Sequence, residues 1–319
     1  MIIADMQTTP SPTGALRLAD WGVIRAQGAD AASFLHGQLT QDTLGLTSTQ
    51  ARLAGYCSAK GRLLASFVLW RAAPDEIWLA CSADLLAATL KRLSMFVLRA
   101  MCKLSDISNE VSVFGWAGEA ASVAFGEAGA QAMPSTPWAM RSAAGGALIR
   151  LPDGAHIARY LHVLPNSTPA PAAPALEAAT WQWLEVASGV VRITAATAEQ
   201  FVPQMVNLEA VGGVNFQKGC YPGQEIVARS QYRGTLKRRA MRFDCDAELS
   251  IGQEIFHSND AGQPAGLVAN AAPRPGGGSS VLAEVKLAAL DSGSLHATSA
   301  SGALLRPVAL PYVLPTEAA

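Results

Sequence analysis

The amino-acid sequence predicts an α+β protein closed at its C-terminal end by a small antiparallel β-barrel. Three observations predict it. Strand-like runs at 62–70 and 76–81 stand directly before an apolar stripe of helical period, Leu86, Leu90, Leu93, Val97 and Met101. A strand, an alanine-rich helix and two more strands then repeat that texture from about residue 110. From about Ala240 the chain changes to short runs such as AMRFDC, QEIFH and AGLVAN, broken by Gly, Pro and Asn, as in a small barrel or sandwich.

Taken in order, residues 28–44 predict a helix opening at Asp30, with Phe34, Leu35 and Leu39 on one face. The two strands that follow are separated by a turn at Ala72-Ala73-Pro74-Asp75, and a second helix fits 83–101. The second unit reads as a strand at 110–116, a helix around 117–130, and strands near 147–151 and 155–164. Residues 165–175 are Pro-rich and predict a surface linker, after which a helix resumes at 176–188. The GGGSS at 276–280 predicts a hairpin tip. These divisions give units at 1–109, 110–239 and 240–319.

The chain's 319 residues exceed what one hydrophobic core usually serves, and half of them are hydrophobic while 15% are charged, so most of the length can fold. A formal charge of −1 gives no global attraction to nucleic acid or anionic lipid. No apolar run reaches the roughly 18 residues of a membrane span, and the first twenty residues carry no secretory pattern, so a cytoplasmic protein without membrane contact is expected. Five cysteines, spaced by 24, 21, 118 and 25 residues, match neither a disulfide framework nor a metal motif. Free thiols in a reducing compartment are expected.

One cysteine stands apart. Lys218 to Arg229 reads KGCYPGQEIVAR, and Gly219 and Gly223 permit a tight loop that presents Cys220 outward. The adjoining Lys218 favours a thiolate, and a helix starting near Pro222 would add its N-terminal amides, with Gln224 and Glu225 in its first turn. Cys220 and Lys218 are therefore the candidate catalytic pair. A free cysteine is more often a buried small hydrophobe, which is the reading for Cys57, Cys81, Cys102 and Cys245.

With Tyr221, this stretch matches every fixed position of Lys-Gly-Cys-Tyr-x-Gly-Gln-Glu, and the chain resembles the YgfZ-type folate-binding proteins, relatives of the glycine-cleavage T-protein, an aminomethyltransferase. Segments 34–42, 58–67, 201–216 and 232–239 extend the resemblance to about Arg242. It implies a T-protein-like fold of two ferredoxin-like α+β units around a central folate cavity, followed by the barrel. It also implies tetrahydrofolate as ligand, with Trp21 and Trp183 as its aromatic contacts. Tyr221, Gln224, Glu225, Gln204 and Asn207 are nearby polar candidates, each also able to close local backbone bonds. The expected arrangement is a thiol facing a cavity lined by indoles. Where the T-protein carries an essential Asp pair, this chain has Ala65 and Ser66, neither able to act as a general base. A stretch that often reads Ile-Asp-Ala-Ala-Asn-Ser-Gly is Ile193 to Glu199 here, without its aspartate.

The resemblance implies an accessory role in iron–sulfur cluster assembly or repair, with assembly or client proteins as partners and effects on tRNA modification through cluster-dependent enzymes. A tetrahydrofolate-dependent aminomethyl or one-carbon transferase is the alternative. From Gln217 to Arg242, seven basic residues stand against one acid. That excess could hold a polyglutamate tail, a partner or RNA phosphate, or be a solvated face; direct tRNA contact is not the expectation, and would fall to the basic stretch 229–242 if made.

Overall fold

The structure, a computed structural model, describes residues 11–126, 132–232 and 236–315. The chain opens with β1 (Gly14–Arg17), β2 (Trp21–Gln27), α1 (Ala31–His36), β3 (Arg52–Cys57), β4 (Leu63–Ala73), β5 (Glu76–Ser82), α2 (Ala83–Ser94) and β6 (Lys103–Asp106). Five of these strands form one sheet in the order β3-β4-β5-β2-β6. Its central strand pairs are antiparallel and β4 is buried on both faces from Ala65 to Trp70, because helices and the second unit cover it.

The second unit contributes β7 (Val111–Ala117), α3 (Glu119–Phe125), β8 (Met140–Ala143), β9 (Gly146–Gly154) and β10 (Ile157–Pro165). Its sheet runs β1-β7-β10-β9-β8, so the first strand of the chain pairs with β7 across a boundary that chain order alone would not cross. Two helices follow, α4 (Ala178–Ala187) and α5 (Gln224–Tyr232), separated by a long connection that packs into the core through Ile193, Phe201, Val206 and Leu208. The chain ends in β11 (Arg238–Cys245), β12 (Glu254–His257), β13 (Gly266–Pro273), β14 (Ser279–Lys286), β15 (Leu295–Ala297) and β16 (Leu304–Val308). They close a barrel in the order β11-β14-β13-β12-β15-β16, filled by Phe243, Ile255, Val268 and Val281 among others.

Two helices are shorter than their apolar spacing predicts. The one expected over 28–44 ends at His36, because Thr40 leaves the helical path: its amide donates to the Gly55 carbonyl and its hydroxyl to that of Gly213. The one expected over 83–101 ends at Ser94, whose hydroxyl donates back to the Leu90 carbonyl, and the backbone then tightens, with the Phe96 amide donating to Leu93 and that of Leu98 to Phe96. Beyond it, the Met101 amide donates to the Asp30 carboxylate, 2.7 Å away. In the second unit α3 covers Glu119–Phe125, and residues 127–131 of the predicted helix lie outside the described residues. Among the described residues, no helix is long and apolar enough to cross a membrane.

Candidate functional site

The signature loop docks on the turn between β3 and β4. Gly223 takes φ +79°, and a Cβ there would lie 2.4 Å from the Ser58 carbonyl oxygen and 2.6 Å from the Gly61 amide nitrogen, so only glycine lets the two turns touch. Ile226, in the first turn of α5, covers Gly61. Tyr221 is buried beneath the loop and its phenol is pushed up by that burial, while Cys220 is exposed. Neither Gln224 nor the exposed Glu225 makes a side-chain hydrogen bond to the loop; they begin α5, as the Pro-Gly turn predicts.

Lys218 is turned away from solvent. Its Nζ donates to the His36 carbonyl at 2.5 Å and to the Gly219 carbonyl at 3.1 Å, and lies 4.8 Å from the Tyr221 ring centre. Burial brings its pKa down to about 8, against the pull of Asp42 and Cys220. His36 sits beside the same loop, with Nδ1 3.0 Å from Asp42 Oδ1, off the line of a well-directed hydrogen bond. Asp42 is held by Arg52 and by the amides of Leu44 and Gly45; although burial opposes it, these hold its carboxyl below the usual range. The other thiols are inert by comparison. Burial pushes Cys57 and Cys81 up to about 12 and Cys102 to about 11.

A cavity of about 560 Å³ opens where the three units converge. Trp21, Ser66 and Asp84 line it from the first unit, Trp138 and Arg159 from the second, and Ile251, Asn270 and Ala271 from the barrel. Glu185 of α4 and Arg192 just beyond it complete the polar lining. Arg192 donates to Asp20 at 2.5 Å, lies 3.7 Å from Glu185 and stacks 5.0 Å from the Trp21 ring centre. Burial opposes its charge, but Glu185 and Asp20 outweigh that and raise its pKa. For Glu185 burial wins over Arg192 and Arg159, and its carboxyl is raised.

Two donors in this wall have no hydrogen-bond partner among the described residues: Trp21 Nε1 and Nη1 of Arg159, a residue only 3% exposed. Native proteins seldom leave such atoms unsatisfied. Trp138 has φ +69°, a left-handed conformation that a bulky residue rarely adopts, and is held there from both sides: its amide donates to Arg150 and its carbonyl accepts from Ala51.

A relative from Edwardsiella ictaluri, tRNA-modifying protein YgfZ, is 35% identical over 252 residues, covering 71% of this chain and 70% of its own. The chain belongs to the YgfZ family. A protein of the same name from Colwellia psychrerythraea is 30% identical over 254 residues, 77% of this chain and 74% of its own. No family model matches. Among solved structures, the glycine cleavage system aminomethyltransferase T of Bartonella henselae superposes with a TM-score of 0.69 over 95% of this chain and 87% of its own, at 15% identity, which shows a shared fold.

Within this YgfZ-family chain, several sequence expectations need correction. Cys220 and the rest of its signature do not line the cavity: the loop is clamped to the Ser58–Gly61 turn, whereas β4 lines the cavity further along, through Ser66, Phe67 and Val68. The helical phase of α4 explains Trp183, which is half-buried between the two main cores while Gln182 and Glu185 line the cavity. Gln204 and Asn207 are wholly buried and spent on structure, donating to the Val227 and Ala240 carbonyls at 2.8 and 2.7 Å. Ser66 is likewise engaged, its hydroxyl accepting from the Ile193 amide at 3.0 Å.

The basic stretch is also not one continuous surface patch. Arg239 pairs with Glu209 in the interior and Arg238 makes a two-pronged contact with Glu284. Arg242 is half-buried, while Arg229 and Lys237 are exposed; Arg233 lies outside the described residues. The lining residues Trp138, Arg159, Glu185 and Asn270 escaped the sequence reading. Only Trp138, following Pro137 outside any regular run, carried even a weak local signal.

Proposed function

We propose that this chain binds a reduced folate, tetrahydrofolate, in the three-way cavity and serves iron–sulfur cluster assembly or repair through the thiol of Cys220. The observation that carries the folate reading is the wall itself: two indoles, Trp21 and Trp138, beside buried donors on Arg159 and Trp21 that have no partner among the described residues. A flat heteroaromatic ring with acceptor atoms at its edge would satisfy both features, and about 560 Å³ falls within the range of small-molecule sites. Trp21 and Trp138 would supply the aromatic faces, Arg159 a charged donor, and Glu185 an acceptor or, when protonated, a donor. Bound folate supplies one-carbon chemistry at its reduced ring; the residues here bind, orient and shield that ring from water.

The thiol reading rests on exposure and neighbours. Cys220 is the exposed cysteine on a glycine-clamped loop, next to a buried ammonium. One thiolate provides one ligand, and no group of three or more His, Cys, Asp or Glu that could hold a metal occurs among the described residues. A cluster passing this thiol would take its remaining ligands from an assembly or client protein. Effects on tRNA modification would then run through cluster-dependent enzymes, since Arg238 and Arg239 are neutralised by Glu284 and Glu209.

A one-carbon transferase is the second reading, and Glu185 is what favours it: a carboxyl in the cavity wall, raised by burial, can give and take a proton, which Ala65 and Ser66 cannot. Isothermal titration with tetrahydrofolate tests the binding claim. Wild-type protein should bind, Trp21→Ala should lose most of the affinity, and Trp183→Ala should lose less. Absence of heat with wild type, or equal binding by Trp21→Ala, removes the folate reading. Turnover of a one-carbon donor that stops in Glu185→Gln would favour the transferase.

A further inference from the structure

Between α2 and β6, the segment from Met95 to Cys102 divides its side chains between two sides. Val97, Ala100 and Cys102 pack inward against the main core. Met95, Phe96, Leu98 and Met101 face solvent, exposed by 59%, 44%, 85% and 66%. This outward display is no accident of disorder. Tight backbone bonds from Leu98 to Phe96 and from Cys102 to Ala100 shape the segment, and Asp30 anchors it through the Met101 amide. Four large apolar side chains in seven residues form a contiguous patch of a kind that soluble surfaces seldom leave uncovered.

The rim of the patch is cationic. Lys91, Arg99 and Lys103 are all exposed, and none makes an ion pair among the described residues. Asp30, at the inner edge of the segment, accepts from the Met101 amide. An apolar centre with unpaired cations around it complements an apolar knob flanked by carboxylates. RNA phosphate would use the cations but would leave the apolar centre wet. The two methionines suit a protein surface that must adapt on contact.

We propose that this patch docks an acidic-flanked apolar surface of a partner protein. Its position gives the docking a purpose. Asp30, which holds Met101, immediately precedes α1, and the carbonyl of His36 at the other end of α1 receives Lys218 of the signature loop. A six-residue helix is about 9 Å long, so this short series of contacts leads from the patch to the loop that carries Cys220. That last step rests on the thiol reading above; the docking surface does not.

The probe is a fluorescent synthetic peptide with Leu and Phe along one helical face and Glu on both flanks, followed by anisotropy against the full chain. Saturable, salt-sensitive binding is expected. Leu98→Glu should weaken it about tenfold, as loss of a central contact does, and Lys91→Glu with Arg99→Glu by several-fold. Leu98→Ser serves as a second variant, and circular dichroism should show both folded because Leu98 supports no core. The proposal is overturned if a scrambled peptide of the same charge binds equally, or if the peptide does not bind. It is also overturned if Leu98-dependent association is seen instead with phosphatidylglycerol vesicles or between copies of the chain in sedimentation. Iodoacetamide labelling of Cys220 should be unchanged in Leu98→Glu, so failure of the thiol reading and failure of the docking surface register in different measurements.

Discussion

At the residue scale, reactivity in this chain is decided by what each sulfur and each nitrogen is packed against. Cys220 is exposed while burial pushes the thiols of Cys57 and Cys81 to about 12. Brief treatment with iodoacetamide near neutral pH should label Cys220 first, with Cys57 and Cys81 silent in the mass spectrum until the protein unfolds. Lys218 adds a pH signature, because burial brings its pKa from 10.5 to about 8. Between those values the unfolded chain holds the extra proton, so stability rises with pH across that window, and Lys218→Met should flatten the rise. The same variant should slow Cys220 alkylation below pH 8 and converge with wild type above it, where the ammonium charge is gone. The thiol was legible from sequence because its neighbours lie within a few positions. Of the cavity wall only Trp21 was foreseen, because Trp138, Arg159, Glu185 and Asn270 come from distant parts of the chain and no local pattern links them.

At the element scale, two contacts fix the signature helix and the first barrel strand. Gly223→Ala would place a methyl against the Ser58 carbonyl at a backbone angle that costs about 1–3 kcal/mol, so chemical denaturation should register a loss of that order. Arg239→Ala would leave Glu209 buried without its partner, and about 3–5 kcal/mol should be lost, whereas Lys237→Ala on the same strand approach should change stability by less than about 0.5 kcal/mol. These two neighbours looked alike in the sequence. A count over 217–242 cannot see Glu209 upstream or Glu284 downstream, so the charge run read as a patch although Arg238 and Arg239 within it are paired. Helix α2 was legible because its apolar stripe meets the sheet through Leu85, Leu86 and Leu93. Its end was not, because the stripe continues through Val97 and Met101 while Ser94 and Asp30 redirect the backbone. The barrel strands were legible from their turns, the GGG at 276–278 among them, where Gly278 at φ +72° lies against the Cys245 carbonyl.

At the scale of the whole molecule, the T-protein fold brings two sheets and a barrel around one opening, and that architecture makes ligand binding a global matter. Tetrahydrofolate at about a hundred times its dissociation constant should stabilise the protein by about 2.7 kcal/mol, visible as a raised melting temperature that Trp21→Ala abolishes. The closing barrel was readable, yet the pairing of β1 with β7 was not, since four residues carry no signal of which sheet they will join. That pairing has a mechanical consequence. Between β1 in one sheet and β2 in the other lie only Leu18, Ala19 and Asp20, and Asp20 with the adjoining Trp21 forms part of the cavity wall. Swinging one sheet against its neighbour would pull directly on this three-residue tether, which is pinned at Leu18, a core side chain whose amide donates to the Val113 carbonyl, so a protease cut at 19–20 would loosen the cavity wall next to that anchor.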